Sequence, residues 1–172
     1  GKIELDVAAA GISLLSISGL KICAPKGVGA HYKRKRGNRV RLEPLALGGG
    51  QEEGLRPGTL TVPGIVGLGE ACRIAREELQ EESGRVGQLR DRLLAGVRKG
   101  IPDVNVNGPT DTARKLAGNL SLSFSGVDGS ALIVSLGDLA ASAGSACTAG
   151  NAEPSYVLKA IGTPAELSLI HI

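Results

Sequence analysis

The sequence is poor in aromatic residues and in the residue types that form most metal centres. Its 172 residues include one phenylalanine, two tyrosines, no tryptophan, two histidines and three cysteines. So few rings cannot form the stacking platform that binds single-stranded nucleic acid, and we expect no nucleic-acid partner. Cys23, Cys72 and Cys147 are widely spaced without a CxxC pair. This spacing argues against a zinc site or a disulfide framework and favours a reduced, cytoplasmic setting.

Long apolar runs are also absent. No stretch approaches the ~18 residues that a membrane-spanning helix needs, and no basic-then-apolar leader opens the chain. We therefore expect no membrane association. Because the sequence opens on Gly1 in the middle of a patterned segment, we expect the chain to be part of a longer one. With 42% hydrophobic residues and a net charge of +3, it can still bury a core.

Strand and helix patterns alternate along the chain, which predicts an α/β protein. Apolar runs at 12–17 and 28–32 predict two strands joined by a turn-rich segment. Helical periodicity follows Thr59, and a second amphipathic stretch follows Gly84 and ends at Gly100. Later, serines alternate with apolar residues in a way typical of a half-buried strand. The remaining predicted elements are strands at 104–106, 120–124 and 141–143, a helix capped by Asp128 that runs to 136, and a helix over 154–161.

The glycine-rich segments do not match the common nucleotide-binding motifs. Residues 27–32 and 67–72 each begin like a dinucleotide fingerprint but lack its third glycine. The sequence also lacks the GxxxxGK[ST] phosphate loop and the GxSxG motif of hydrolases. These absences exclude the corresponding nucleotide-binding and hydrolase interpretations.

Two side chains could carry covalent chemistry. Lys21 follows an apolar strand, and a partly desolvated lysine there has a lowered pKa and can form a Schiff base with an aldehyde. A surface lysine in a loop is the alternative. Cys147 lies between Gly144 and Gly150 in a loop of small residues, where an exposed thiol can ionise and react. A small buried cysteine is the alternative there.

Two further segments could bind anions. Thr59, after Arg56-Pro57-Gly58, is placed to cap a helix whose N-terminus could hold a phosphate, and a plain N-cap is the alternative. Residues 33–41 contain six lysines and arginines, and we call them the basic segment. They could bind phosphates or an acidic partner surface, or they could form a solvated loop.

Taken in order, several segments resemble the signatures of one enzyme family. Residues 16–29 resemble the cofactor-lysine segment of class V, fold-type I pyridoxal-phosphate enzymes. Residues 48–52 followed by 56–59 are similar to the second signature of that family. Residues 145–148 and 153–158 resemble the cysteine desulfurases that supply sulfur to iron–sulfur clusters, in the branch with the longer cysteine loop. The resemblance extends over nearly all of residues 1–166.

The resemblance implies a fold, a cofactor and a role for each candidate residue. Residues 1–80 would end the large cofactor domain, residues 81–166 would form most of a small α/β domain, and the enzyme would be a homodimer. Lys21 would hold pyridoxal 5'-phosphate as a Schiff base and then act as general acid/base. Ser18 would bind the cofactor phosphate, and Thr59 would reach the phosphate in the partner subunit. Cys147 would take sulfur from L-cysteine as a persulfide, leaving L-alanine, and pass it to an iron–sulfur scaffold or another acceptor docked on the basic segment.

The sequence departs from the family pattern in several places. Leu20 stands where histidine is usual, and because leucine cannot donate to a phosphate, we expect weaker cofactor binding. The family's ring-nitrogen aspartate and ring-stacking histidine would lie before Gly1, and its substrate-carboxylate arginine after Glu166. Residues 167–172 resemble a translated sequencing adapter, so we expect a non-native tail. The chain alone should therefore be inactive. A selenocysteine lyase or aminotransferase of the same class, or a non-catalytic scaffold-binding module, are the alternative interpretations.

Overall fold

A computed structural model describes residues 1–37, 40–127, 129–140 and 155–164. It divides the chain into two compact units, Gly1–Glu82 and Ser83–Ile172, and the division falls within the longest helix. The helices and strands of the described residues are β1 Leu14–Ser18, β2 Gly29–Lys33, α1 Val62–Gly100, β3 Val104–Val106, β4 Leu122–Phe124, α2 Gly129–Ser135 and α3 Tyr156–Ala160. None of these helices is both long and apolar enough to cross a membrane.

The first unit contains a β-hairpin built from the two predicted strands. β1 and β2 pair antiparallel, with Leu15 opposite Tyr32 and Ser18 opposite Gly29. Side chains alternate between the two faces of a strand, so the half-buried Leu15 and Ile17 lie on one face with Tyr32. The other face carries Ser16, Ser18, His31 and Lys33, and we call it the polar face of the hairpin.

Helix α1 differs from the sequence expectation at two places. It continues through Gly84 where two amphipathic stretches were predicted. A glycine in a helix costs only about 1 kcal/mol, and a long run of good helix formers offsets one such residue. The helix begins at Val62, so the predicted capping role of Thr59 is wrong. Thr61 directly precedes the helix instead, and its carbonyl accepts the Ile65 N–H at 3.0 Å.

The second unit places β4 at the centre of its core. β3 and β4 pair antiparallel, with Val104 opposite Phe124. All three residues of β4 are buried, and Ser123 is 0% exposed, so the prediction of a half-buried strand is wrong. A buried hydroxyl is tolerated when it is hydrogen-bonded, and the Asn107 side-chain amide donates to Ser123 Oγ at 2.8 Å. The serines therefore reflect a buried polar contact rather than a solvent-facing side.

The C-terminal helices agree with the sequence pattern where the structure describes them. The predicted helix over 154–161 is found as α3, and Gly162 follows it with a φ of 81°, as expected for a helix-ending glycine. Helix α2 ends at Ser135, close to the predicted end. Several predictions lie outside the described residues: the Asp128 cap, the strand at 141–143, the loop at 144–150, Pro154 and the tail at 167–172.

Candidate functional site

Lys21 lies in the connection between the two strands, residues 19–28, which we call the Lys21 loop. The loop begins with a short 3-10 helix, Gly19–Ile22, directly after β1. The Gly19 N–H donates to the Val28 carbonyl at 3.0 Å, and the Ala24 N–H donates to the Gly19 carbonyl at 3.0 Å. A β-carbon on Gly19 would lie 2.6 Å from the Val28 oxygen, so only glycine fits there. These bonds close the base of the loop and fix the backbone that carries Lys21.

The structure brings Ser18 and Lys21 to the same end of the hairpin. Ser18 is the last residue of β1, and its side chain makes no capping hydrogen bond to the short helix that follows. Lys21 is exposed in the described structure, although the sequence predicted partial desolvation. A hydroxyl donor beside a primary amine suits an anionic ligand that carries an aldehyde, because the hydroxyl can bind the anion and the amine can form a Schiff base. The donor set therefore fits pyridoxal 5'-phosphate.

The Lys21 loop docks on the first turns of α1. A β-carbon on Gly67 would lie 2.6 Å from Cγ of Pro25, and one on Gly64 would lie 3.4 Å from Cβ of Val28. Ala24 in the loop and Ala71 in the helix are both buried. Residues 64, 67 and 71 recur at helical spacing on one side of α1. Small residues at these positions allow the loop backbone to approach the helix closely.

The second motif forms a loop that folds back on itself. The Gly58 N–H donates to the Gln51 side-chain oxygen at 3.2 Å, which joins the two halves of the motif. A β-carbon on Gly49 would lie 2.4 Å from that same oxygen, and one on Gly48 would lie 2.8 Å from Pro57. Gly48 therefore allows Pro57 to approach closely, and a side chain on Gly49 would displace the Gln51 oxygen that accepts from Gly58. Thr59 follows Gly58 and is exposed, on a different loop from Ser18 and Lys21.

The basic segment is tied to the rest of the first unit through two of its side chains. Arg34 donates to the Val7 carbonyl at 3.2 Å, and Lys35 donates to Glu53 at 2.9 Å. The hydrogen bond and the positive charge of Lys35 lower the pKa of the Glu53 carboxyl, and Glu53 in turn raises the pKa of Lys35. Arg36 and Arg41 are exposed, whereas Arg39 lies outside the described residues.

Glu53 belongs to a stretch of unusual backbone. Glu52, Glu53 and Gly54 have φ values of 52°, 58° and 78°. Non-glycine residues seldom adopt this left-handed region, so the stretch must be held by its surroundings. The ion pair with Lys35 is one such contact, and it links the basic segment to the loop that carries Thr59.

One polar contact of the hairpin was missed in the sequence. The Ser16 hydroxyl and His31 Nδ1 lie 3.1 Å apart on the polar face, directly opposite each other across the two strands. The register of the two predicted strands is the signal that could have revealed it, since a ten-residue connection pairs position 18 with position 29. Cys147, the other predicted catalytic residue, lies outside the described residues. Among those described, no group of three or more His, Cys, Asp or Glu side chains could hold a metal ion.

Comparisons with known proteins agree on one family. The family model described as Aminotransferase class-V matches residues 1–171. The chain is 52% identical over 167 residues to a protein of Ehrlichia chaffeensis named cysteine desulfurase IscS, covering 97% of this chain and 40% of that one. A solved NifS-like protein matches with a TM-score of 0.80 and 34% identity, over 99% of this chain and 42% of the other.

A second solved structure, described as SspA in complex with cysteine, matches with a TM-score of 0.69 and 32% identity. That match covers 99% of this chain and 45% of the other. The predicted α/β fold class and the family resemblance are thus both confirmed. The chain spans about 40% of the length of the relatives it matches.

Proposed function

Because the chain belongs to the class-V aminotransferase family, we propose that its parent protein is a pyridoxal-phosphate-dependent cysteine desulfurase. By parent protein we mean the product of the complete gene that contains this chain. The observation that carries the proposal is the placement of Ser18 and Lys21 at the same end of the hairpin, where hydrogen bonds close the loop that carries Lys21. Its support is the 52% identity to a protein named cysteine desulfurase. Residues 1–80 would complete the cofactor domain and residues 81–166 would form most of the small domain.

Each predicted cofactor residue has a distinct task in this proposal. Ser18 donates its hydroxyl hydrogen to the cofactor phosphate, since no capping bond occupies it. Lys21 anchors the cofactor and then, as general acid/base, takes the proton from the α-carbon of the substrate. Pyridoxal phosphate, when bound, supplies the electron sink that stabilises negative charge on the substrate. Thr59 donates to the phosphate bound in the partner subunit, so that the active site belongs to a homodimer.

Cys147 is the proposed sulfur carrier. Its thiolate takes the sulfur atom of L-cysteine as a persulfide, and L-alanine leaves as the second product. The persulfide then passes to an acceptor protein in the cytoplasm for iron–sulfur cluster assembly. The exposed arginines of the basic segment, Arg36 and Arg41, are free of the ion pair made by Lys35 and suit an acceptor with an acidic surface.

Turnover of L-cysteine by the parent protein tests the proposal. With a thiol reductant present, we expect equal amounts of L-alanine and sulfide, and we expect both to fall to background in Lys21→Ala and in Cys147→Ala. Cys72→Ala is the matched control, because Cys72 is an exposed thiol on α1 outside the proposed site. L-alanine formation that persists in Cys147→Ala would contradict the role of that thiol. The 172-residue chain alone should give no turnover, because its exposed Lys21 lacks the surrounding walls that bury a cofactor.

The same assay separates the alternative functions. A selenocysteine lyase would turn over selenocysteine far faster than cysteine, and an aminotransferase would require an amino acceptor. A scaffold-binding module would bind its partner through the basic segment in a salt-sensitive way, and that binding would survive both Lys21→Ala and Cys147→Ala. If the parent protein does not turn over cysteine and gives one of these results, the corresponding alternative function takes the place of the proposed one.

A further inference from the structure

We propose that His31, held in place by Ser16, is a second ligand of the cofactor phosphate beside Ser18. This inference rests on the proposed function, in which Ser18 binds that phosphate. It assigns a role to a histidine on β2 that belongs to neither the Lys21 loop nor the second motif.

The register of the hairpin places His31 beside Ser18. Ser16 faces His31 and Ser18 faces Gly29, so these residues share the polar face. Diagonal neighbours on one face of an antiparallel pair lie about 7–8 Å apart, within reach of aromatic and long side chains. A phosphate group bound to the Ser18 hydroxyl can therefore also accept a hydrogen bond from the His31 ring.

Gly29 lies opposite Ser18 and next but one to His31 on the polar face. A β-carbon on Gly29 would lie 2.5 Å from the Ile17 carbonyl oxygen, so no larger residue fits opposite Ser18. Gly29 therefore places no side chain between Ser18 and His31 on the polar face. His31 is exposed within the described structure, so its ring is accessible to a ligand on the polar face.

The contact with Ser16 orients the imidazole for this task. Ser16 Oγ lies 3.1 Å from Nδ1, and in the proposed arrangement the hydroxyl donates to that nitrogen. The ring proton then sits on Nε2, which becomes a donor aimed away from Ser16. Lys33 lies two residues further along the same face and adds positive charge that favours an anion.

Leu20 supplies no second donor at this end of the hairpin. This residue is 54% exposed in the Lys21 loop and has no group that can donate to a phosphate. In the short helix only Lys21 carries a side-chain donor, and in the proposed function its amine holds the cofactor aldehyde. His31 would supply, from the opposite strand, a second donor that Leu20 cannot provide.

Binding of pyridoxal phosphate and of pyridoxal to the parent protein tests the inference, because the two differ only in the phosphate. Dissociation constants are measured by equilibrium dialysis for the wild type, His31→Leu, His31→Gln and Tyr32→Phe. We expect His31→Leu to weaken the binding of pyridoxal phosphate about tenfold, because one charge-assisted hydrogen bond is lost. The binding of pyridoxal should not change. His31→Gln keeps a donor at a similar distance and should retain most of the affinity. Tyr32→Phe alters the opposite face of the hairpin and should change neither value.

Each outcome distinguishes the inference from the proposed function. Unchanged binding of pyridoxal phosphate in His31→Leu overturns the inference. If the binding of pyridoxal phosphate and of pyridoxal weakens equally, His31 has a purely structural role, and the inference is overturned as well. If His31→Leu does not fold, Ser16→Ala tests the inference instead. It should weaken the binding of pyridoxal phosphate two- to threefold, and an unchanged dissociation constant overturns the inference. A wild-type protein that does not prefer pyridoxal phosphate over pyridoxal overturns the proposed function itself, and this inference with it.

Discussion

Pro25 and Gly67 approach so closely that a β-carbon on Gly67 would lie 2.6 Å from Cγ of Pro25. Pro25 belongs to the loop that carries Lys21, and Gly67 belongs to the first turns of α1. The position of Lys21 is thus set by contact with a helix more than forty residues further along the chain. The missing side chain of Gly67 is what allows this contact.

Replacing Gly67 by alanine should therefore destabilise the protein. The added methyl group would push the loop away from the helix, and overpacking of this kind costs about 1–3 kcal/mol. The better helix propensity of alanine returns about 1 kcal/mol, so we expect a net loss of up to ~2 kcal/mol in the free energy of unfolding. Urea denaturation of the wild type and of Gly67→Ala measures this difference in the free energy of unfolding.

Gly69→Ala is the matched control for this substitution. Gly69 lies in the same helix, but a β-carbon there would meet nothing within 4 Å. Alanine at this position should stabilise the protein by about 1 kcal/mol through helix propensity alone. Equal stabilisation by both substitutions would show that the Lys21 loop does not press against α1 at Gly67.

The local elements of this unit could be predicted from the sequence because their signals are local. Apolar runs predicted β1 and β2 to within two residues, and the turn-rich connection between them predicted a loop for Lys21. The continuity of α1 could not be predicted in the same way. A single glycine such as Gly84 weakens a helix by a small amount, and whether it ends the helix depends on the residues on both sides.

The candidate site could be predicted only in part, for a physical reason. Ser18 and Lys21 are three residues apart, so a sequence motif is enough to bring them together. The pairing of Ser16 with His31 depends on strand register, and the bond between Gln51 and Gly58 depends on a loop closing on itself. Such contacts join residues that are distant in sequence, so they depend on strand register and loop closure, which the periodicity of a single element does not report.

Arg90 should be important for the stability of the second unit. It is 8% exposed, and its guanidinium donates to the Ala117 carbonyl at 2.9 Å and to Asp91 at 2.8 Å. Arg90→Met keeps the length of the side chain but removes both bonds. Because hydrogen bonds to charged groups contribute about 1.5–3 kcal/mol, we expect the free energy of unfolding to fall by about 2 kcal/mol. Thermal or urea unfolding measures this change.

Asp91→Asn separates the two contacts of Arg90. The Asp91 side chain is 64% exposed, and ion pairs open to solvent contribute little to stability. We expect Asp91→Asn to change the free energy of unfolding by less than about 0.5 kcal/mol. A larger effect for Asp91→Asn than for Arg90→Met would contradict the view that the bond to Ala117 matters more.

Asn107 should matter more to stability than Asn105, an asparagine two residues earlier within β3. The Asn107 amide donates to Ser123 Oγ at 2.8 Å and to Ser121 Oγ at 3.2 Å, whereas Asn105 is exposed. Asn107→Ala should cost about 1–2 kcal/mol because it removes bonds to a buried hydroxyl. Asn105→Ala should change the free energy of unfolding by no more than about 0.5 kcal/mol. Differential scanning calorimetry of both variants checks this, and equal effects would contradict the buried polar contact.

The ion pair between Lys35 and Glu53 gives a prediction about pH. Lys35 lowers the pKa of Glu53 below its ordinary value of 4.5, and Glu53 raises the pKa of Lys35 above 10.5. The stabilising contribution of the lowered carboxyl is present above pH 4.5 and is lost as the pH falls through the lowered pKa. The contribution of the raised lysine is present below pH 10.5 and is lost as the pH rises through the raised pKa. The pair is therefore intact at neutral pH.

Titration of the Glu53 carboxyl by NMR measures this pair directly. In Lys35→Gln, the pKa of Glu53 should rise toward 4.5, because both the hydrogen bond and the largest nearby charge are lost. Lys33→Gln is the matched control: Lys33 also lowers the pKa of Glu53, but only through charge and as the smallest of the causes, so its loss should produce a smaller rise. Raising the salt concentration to ~1 M should screen the exposed pair and move the wild-type value in the same direction. A Glu53 pKa that is identical in the wild type and in Lys35→Gln would show that the basic segment is not tied to the loop that carries Thr59.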